Sequence, residues 1–126
     1  MIEIRHRGNF DNIDGFFKLI KQRKIYNKLD HYGELGVKAL SENTPVDTGK
    51  TAGSWKYKIR MNDKEISITW SNDNLTKDGI PIAILLQYGH ATGNGGYVQG
   101  RDYINPAMKP IFDAIAENVW KEVTKS

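Results

Sequence analysis

The sequence predicts an α+β domain in which helices flank antiparallel strands. Three observations carry that expectation. Apolar residues recur at spacings of three and four near both ends of the chain, and strict apolar–polar alternation occupies its middle. The 126 residues suffice for one hydrophobic core but not for two ordinary domains. The expected single domain, residues 1–126, has N-terminal helices, an antiparallel sheet built on a central hairpin, and a C-terminal amphipathic helix packed on the apolar face.

Asn9, Asp11 and Asn12 offer capping side chains ahead of the first helical pattern. Ile13, Phe16, Phe17 and Ile20 share one face, with Lys18, Lys21, Arg23 and Lys24 on the other. A second stripe, Ile25, Leu29, Tyr32, Gly36 and Leu40, runs slightly out of phase with the first. That offset predicts a short helix, a kink near Arg23 and Lys24, and a longer helix to about Asn43. Pro45 disfavours the α conformation at Thr44 and ends the helix.

Trp55, Tyr57, Ile59 and Met61 then alternate with Lys56, Lys58 and Arg60. After the polar turn Asn62-Asp63-Lys64, Ile66, Ile68 and Trp70 alternate with Glu65, Ser67, Thr69 and Ser71. This is the pattern of a hairpin with one apolar and one polar face. Residues 71–79 read as a polar loop. Residues 80–88 are apolar but too few for periodicity to separate strand from helix, and Pro81 confines any strand to its first residues or to an edge. Residues 89–100 hold five glycines in twelve positions and read as a loop that is costly to order. Met108, Ile111, Phe112, Ile115, Val119 and Val123 trace one stripe of a final helix, with Pro106 and Pro110 near its start.

Composition narrows the function. A hydrophobic fraction of 39% and a charged fraction of 26% are those of a folded, soluble protein. With no cysteine, disulfides, thiolate nucleophiles and cysteine-based zinc sites are excluded. The longest apolar run, residues 80–86, contains Pro81 and is far too short to cross a bilayer, so no membrane partner is expected. The first residues contain no hydrophobic signal core, so export is not expected either. The net charge of +3 is unevenly spread: twelve Lys/Arg face seven Asp/Glu in residues 1–60, against six and eight in residues 61–126. Such asymmetry suits head-to-tail contacts between copies, the geometry that closes rings.

Asp47-Thr48-Gly49 matches the triplet of dimeric aspartic proteases, whose chemistry needs two carboxylates sharing one proton. Lys50 beside such a dyad would push both towards ionisation, and the triplet follows a helical pattern instead of lying in a β-rich body. The competing reading makes Pro45, Asp47, Thr48 and Gly49 a structural turn, in which Asp47 caps and Gly49 supplies a positive φ. The glycine-rich stretch lacks the Gly-Lys-Ser/Thr ending of a phosphate-binding loop. His6, His31 and His90 form no ligand pair and no triad, and Tyr26, Tyr32 and Trp120 read as packing residues. The expectation is therefore no catalytic residue, no metal and no cofactor. Lys18, Lys21, Arg23, Lys24 and Lys28 on one helical flank support an alternative, a small basic nucleic-acid-binding module whose affinity falls steeply with salt.

Thr44-Pro45-Val46-Asp47-Thr48-Gly49, with Ser54 five residues on, resembles the TPVDTG-x(4)-S element of the HK97 gp10-like family of phage proteins. Further along, Leu86-Gln87-Tyr88-Gly89-His90, then Gly95-Gly96-Tyr97-Val98, then Tyr103-Ile104-Asn105-Pro106-Ala107 are similar to the family's tyrosine–glycine turn and its proline–alanine entry into the last helix. Gln87 stands where the family often has Glu, and Thr51-Ala52 replace a more usual Leu-Arg. The resemblance covers about residues 10–124. It implies a non-enzymatic head–tail joining or tail-completion protein of tailed bacteriophages and prophages, made in the bacterial cytoplasm and built into the virion. The implied partners are neck, adaptor or tail-tube proteins, further copies in a ring, and nonspecific contact with DNA. On that view Gly93, Asn94, Gly95, Gly96, Tyr97 and Val98 form the principal assembly contact. Lys56, Lys58 and Arg60 form a second one, towards an acidic neighbour or DNA.

Overall fold

Residues 1–7, 15–45, 49–91 and 95–124 are described by a computed structural model. In chain order they form β1 (Ile2–Arg7), α1 (Gly15–Asn43), α2 (Gly49–Ala52), β2 (Trp55–Met61) and β3 (Glu65–Asn72). There follow α3 (Ile82–Tyr88), β4 (Gly89–Ala91), β5 (Tyr97–Gln99) and α4 (Ile104–Ile115). A π-helical turn (Ala116–Trp120) carries α4 into α5 (Lys121–Thr124). The fold is α+β, with two antiparallel sheets and a C-terminal helix.

The larger sheet has strand order β1-β3-β2. Its hairpin follows the sequence pattern, pairing Trp55 with Asn72 through Met61 with Ile66. Asn62 closes the turn by accepting the N–H groups of Lys64 and Glu65 on Oδ1, at 2.9 and 2.8 Å. The strand β1 is an addition to the sequence reading, pairing Ile2 with Trp70 through Arg7 with Glu65. Its alternation of Ile2, Ile4 and His6 with Glu3, Arg5 and Arg7 is the signal that identifies it. With strands on both sides, Ser67 in β3 is buried although it lies on the polar face.

The helix α1 is continuous, not two helices joined by a kink. No proline or glycine lies between Phe16 and Tyr32, so the drift in apolar phase leaves the backbone ladder intact. Ile25, Leu29 and Leu40 of the second stripe are fully buried, whereas Phe17 and Ile20 of the first are exposed. Ile13 lies outside the described residues. Gly33 and Gly36 cut a notch in the buried face. A Cβ on Gly33 would stand 2.4 Å from the Tyr57 ring, and one on Gly36 would stand 2.5 Å from Trp70 Nε1. The indole fills this notch, is fully buried, and donates from Nε1 to the Gly33 carbonyl at 3.0 Å.

The C-terminal helix lies along α1 and reaches the sheet through two aromatic contacts. Phe112 sits 6.1 Å from the Trp70 ring, and Trp120 stacks on His6 at 4.9 Å. Pro110 lies inside α4 instead of at its start and cannot donate to the carbonyl four residues back. Ile115, Val119 and Val123 are buried and spaced by four. A π turn has more residues per revolution than an α turn, which keeps that spacing in line with the core. The ambiguous segment before β4 is helix, with Pro81 at its N-terminal boundary.

Replacing a helical glycine by alanine ordinarily stabilises by about 1 kcal/mol. Gly36→Ala is expected to reverse that sign and cost about 1–3 kcal/mol in denaturant titration, because the indole has no room to retreat. Burial against Trp120 lowers the His6 pKa below its usual 6.5, and its Nε2 has no hydrogen-bond partner. The unfolded chain then takes up the proton first, so the His6 contribution is complete above pH 6.5 and lost as pH falls through the lower folded value. Melting curves should show Tm falling on mild acidification in the wild type, and His6→Phe should flatten that dependence.

Candidate interaction surface

The described residues on either side of the Pro45–Gly49 motif tie α1 to the sheet. Thr44 Oγ1 donates to the Leu40 carbonyl at 2.6 Å and accepts Trp55 Nε1 at 2.9 Å. Thr51 is fully buried. Its carbonyl accepts Asn72 Nδ2 at 2.8 Å, and its hydroxyl accepts Asn74 Nδ2 at 2.7 Å. Ser54 closes α2 by donating to the Lys50 carbonyl. Asp47 and Thr48 lie outside the described residues. Gly49 opens α2 in a helical conformation, not with the positive φ expected of it. The turn is completed by α2, which needs no left-handed residue there.

Within the glycine-rich stretch that the sequence reads as a loop, Gly89–Ala91 and Tyr97–Gln99 form a two-stranded ribbon. Here β4 and β5 pair antiparallel, Gly89 with Gln99 and Ala91 with Tyr97. Glycine richness hides these three-residue strands from pattern analysis, yet two glycines are what allow the ribbon to close. Gly89 has φ +81°, and a Cβ there would stand 2.6 Å from the Val98 carbonyl oxygen. A Cβ on Gly100 would stand 2.4 Å from the Tyr88 backbone. Tyr97 donates to the Tyr88 carbonyl at 3.1 Å, and its side chain remains 64% exposed. Tyr88 and Val98 are also exposed. Gly93 and Asn94 lie outside the described residues, while Gly95 and Gly96 lead into β5.

Gln87 anchors the ribbon, a role the sequence reading missed. Its buried Oε1 accepts the N–H groups of Tyr103 and Ile104 at 3.0 and 2.9 Å, capping α4, and its Nε2 donates to Asp102 at 2.7 Å. A glutamate at this position would set two carboxylates against each other, which accounts for the amide here. Tyr103 donates to the Ala83 carbonyl at 2.7 Å, and burial pushes its phenol up to about 12.

Lys56, Lys58 and Arg60 are exposed on the polar face of the sheet, as expected, and β1 adds Arg5 and Arg7 beside them. Glu3 and Glu65 pair with Arg5 at 2.8 and 3.2 Å, and Lys56 pairs with Asp73 at 2.7 Å. The α1 cations behave differently. Lys24 pairs with Glu122 at 3.1 Å, while Lys21 and Lys28 donate to the carbonyls of Val123 and Asn118, each at 3.4 Å. Lys18 pairs with Asp63 at 2.7 Å. Four of the five cations proposed to track phosphate are thus turned onto the protein itself.

Among the described residues, no three His, Asp or Glu side chains are grouped to hold a metal ion. No helix there is long and apolar enough to cross a membrane. His90 Nδ1 is buried without a hydrogen-bond partner at the base of the ribbon. No protein-family model, curated protein or solved structure matches the chain.

Gln87→Ala should strand the first amides of α4 and cost about 1–3 kcal/mol in chemical denaturation. A change near zero would show that the amide bridges nothing.

Proposed function

We propose that the chain is a structural virion assembly protein of a tailed phage or prophage, acting at the head–tail connection through protein–protein contacts. The observation that carries this reading is the β4–β5 ribbon, which holds Tyr88, Tyr97 and Val98 outward on a backbone locked at its base. Apolar side chains cost free energy to leave in water and gain most when a partner covers them. A ribbon ordered in advance lowers the entropy lost on docking. The motif order from Pro45 to Ala107 is that of the joining-protein resemblance, which supports the same reading. The partners on this reading are neck, adaptor or tail-tube proteins and neighbouring copies in a ring. Action is by fit between surfaces, without bond chemistry.

The nucleic-acid alternative keeps the polar sheet face and Arg23, since Lys18, Lys21, Lys24 and Lys28 of α1 are engaged by Asp63 and the C-terminal helix.

The double substitution Tyr97→Ser with Val98→Ser should cost the isolated protein no more than about 1 kcal/mol, because both side chains are exposed and the Tyr97 bond to the Tyr88 carbonyl lies at the surface. In induced cells carrying it, electron microscopy should show full heads beside separate finished tails. Joined, infectious particles at the wild-type level would overturn the reading.

A further inference from the structure

We infer that the outer edge of β2 is a docking site for an extended segment of another protein that alternates apolar and acidic residues. The inference is independent of the ribbon and names the chemistry of a second contact.

The strand order leaves β2 at one edge of the sheet, and among the described residues no strand pairs with its outer side. Which backbone groups face outward follows from the hairpin. Asn62 donates to the Glu65 carbonyl, and Asp73 donates to that of Ser54, so the even-numbered residues of β2 point their polar groups at β3. The N–H and C=O groups of Trp55, Tyr57, Ile59 and Met61 therefore point to the open edge. An added strand could take up all four.

Side-chain space along this edge is arranged to suit. Towards the helix, one cavity of about 300 Å³ opens between α1 and the start of β2, lined by Glu34, Val37, Trp55 and Tyr57, with Lys56 at its margin. A second, of about 510 Å³, opens at the other end, lined by Leu19, Ile20, Gln22, Arg23, Tyr26 and Met61. Leu19 is 67% exposed there, and Tyr26 is 45% exposed. On the opposite side the same strand presents Lys56, Lys58 and Arg60 in a row. Side chains of a pairing strand alternate between the two faces. Every second residue would therefore enter the groove, whose apolar walls are Val37, Trp55 and Tyr57 at one end and Leu19, Ile20, Tyr26 and Met61 at the other, and the intervening ones would meet the cations.

The charge row also selects against other occupants. A second copy pairing through β2 about a twofold axis would set Lys58 against Lys58 and Lys56 against Arg60, which is unfavourable on an exposed sheet face. The β1 edge has no comparable row, because Glu3 alternates with Arg5 and pairs with it. Strand addition by an acidic partner satisfies the backbone, fills the groove and neutralises the row together.

The test uses the full chain and a capped heptapeptide, Val-Glu-Leu-Glu-Val-Glu-Leu, with the lysine-for-glutamate version as control. Titration followed by NMR should show the acidic peptide binding about tenfold or more tightly than the basic one, as expected for exposed ion pairs with Lys58 and Arg60, a share of Lys56 in exchange with Asp73, and their reversal. Amide exchange at residues 55, 57, 59 and 61 should slow on binding. Lys58→Glu with Arg60→Glu should abolish the preference, and added salt should weaken binding to the wild type. Equal affinity for both peptides, no binding, or protection confined to β1 or the ribbon would overturn the inference. Loss of head–tail joining in the ribbon variant, or its retention, leaves this result untouched.

Discussion

The approach of α1 to the sheet is the constraint on which the rest of the molecule depends. A helix with ordinary side chains at positions 33 and 36 would ride higher over the strands. The two glycines let Trp70 sink completely, and the Gly33 carbonyl satisfies the indole N–H that burial would otherwise leave unpaired. Beside it, Tyr57 lies over Gly33 and donates to Asp30, a bond that raises the phenol pKa well above its usual value. The same notch therefore seats the central strand and the edge strand. It also sets the width of the groove between α1 and β2.

From that contact the chain's charge acquires a direction. The lysines of α1 near the C-terminal helix meet Glu122 and carbonyls at the end of the chain, where helix dipole and carboxylate both favour a cation. Arg5, Arg7, Lys56, Lys58 and Arg60 instead stand on the uncovered sheet face, partly offset by Glu3 and Glu65. A modest net charge thus becomes a local one. A cationic row on an edge strand discourages pairing between copies and still admits an acidic chain.

Legibility in the sequence varied with the length of the pattern. The hairpin could be read closely because alternation persists through two strands of seven and eight residues with a turn between them, although β3 runs on through Ser71 and Asn72 where the sequence reads as the start of a loop. The stripe from Ile25 to Leu40 and the final helix were equally plain, since each repeats over several turns. Short elements were not. The strands of the ribbon are three residues each, and α3 is seven, below the length at which a period can be counted. The first apolar stripe misled because Phe17 and Ile20 look like core and stand exposed. Periodicity marks a face without saying what covers it. Gln87 and Thr51 were invisible for another reason: each acts by hydrogen bonds to residues distant in sequence, which no local pattern encodes. The proposed contact residues Lys56, Lys58 and Arg60 were legible as a row, but their edge position was not.

Native-state hydrogen exchange of the free protein tests the central claim most directly, that one buried helix–sheet contact holds the fold while its outer strand edge and ribbon stay open. Amides of β3 facing its neighbours, and of α1 around Gly33 and Gly36, should exchange only through global unfolding, with one common free energy. The outward amides of Trp55, Tyr57, Ile59 and Met61 should exchange far faster. Local opening of β3 well below the global value, or β2 edge amides as slow as those of β3, would contradict the account.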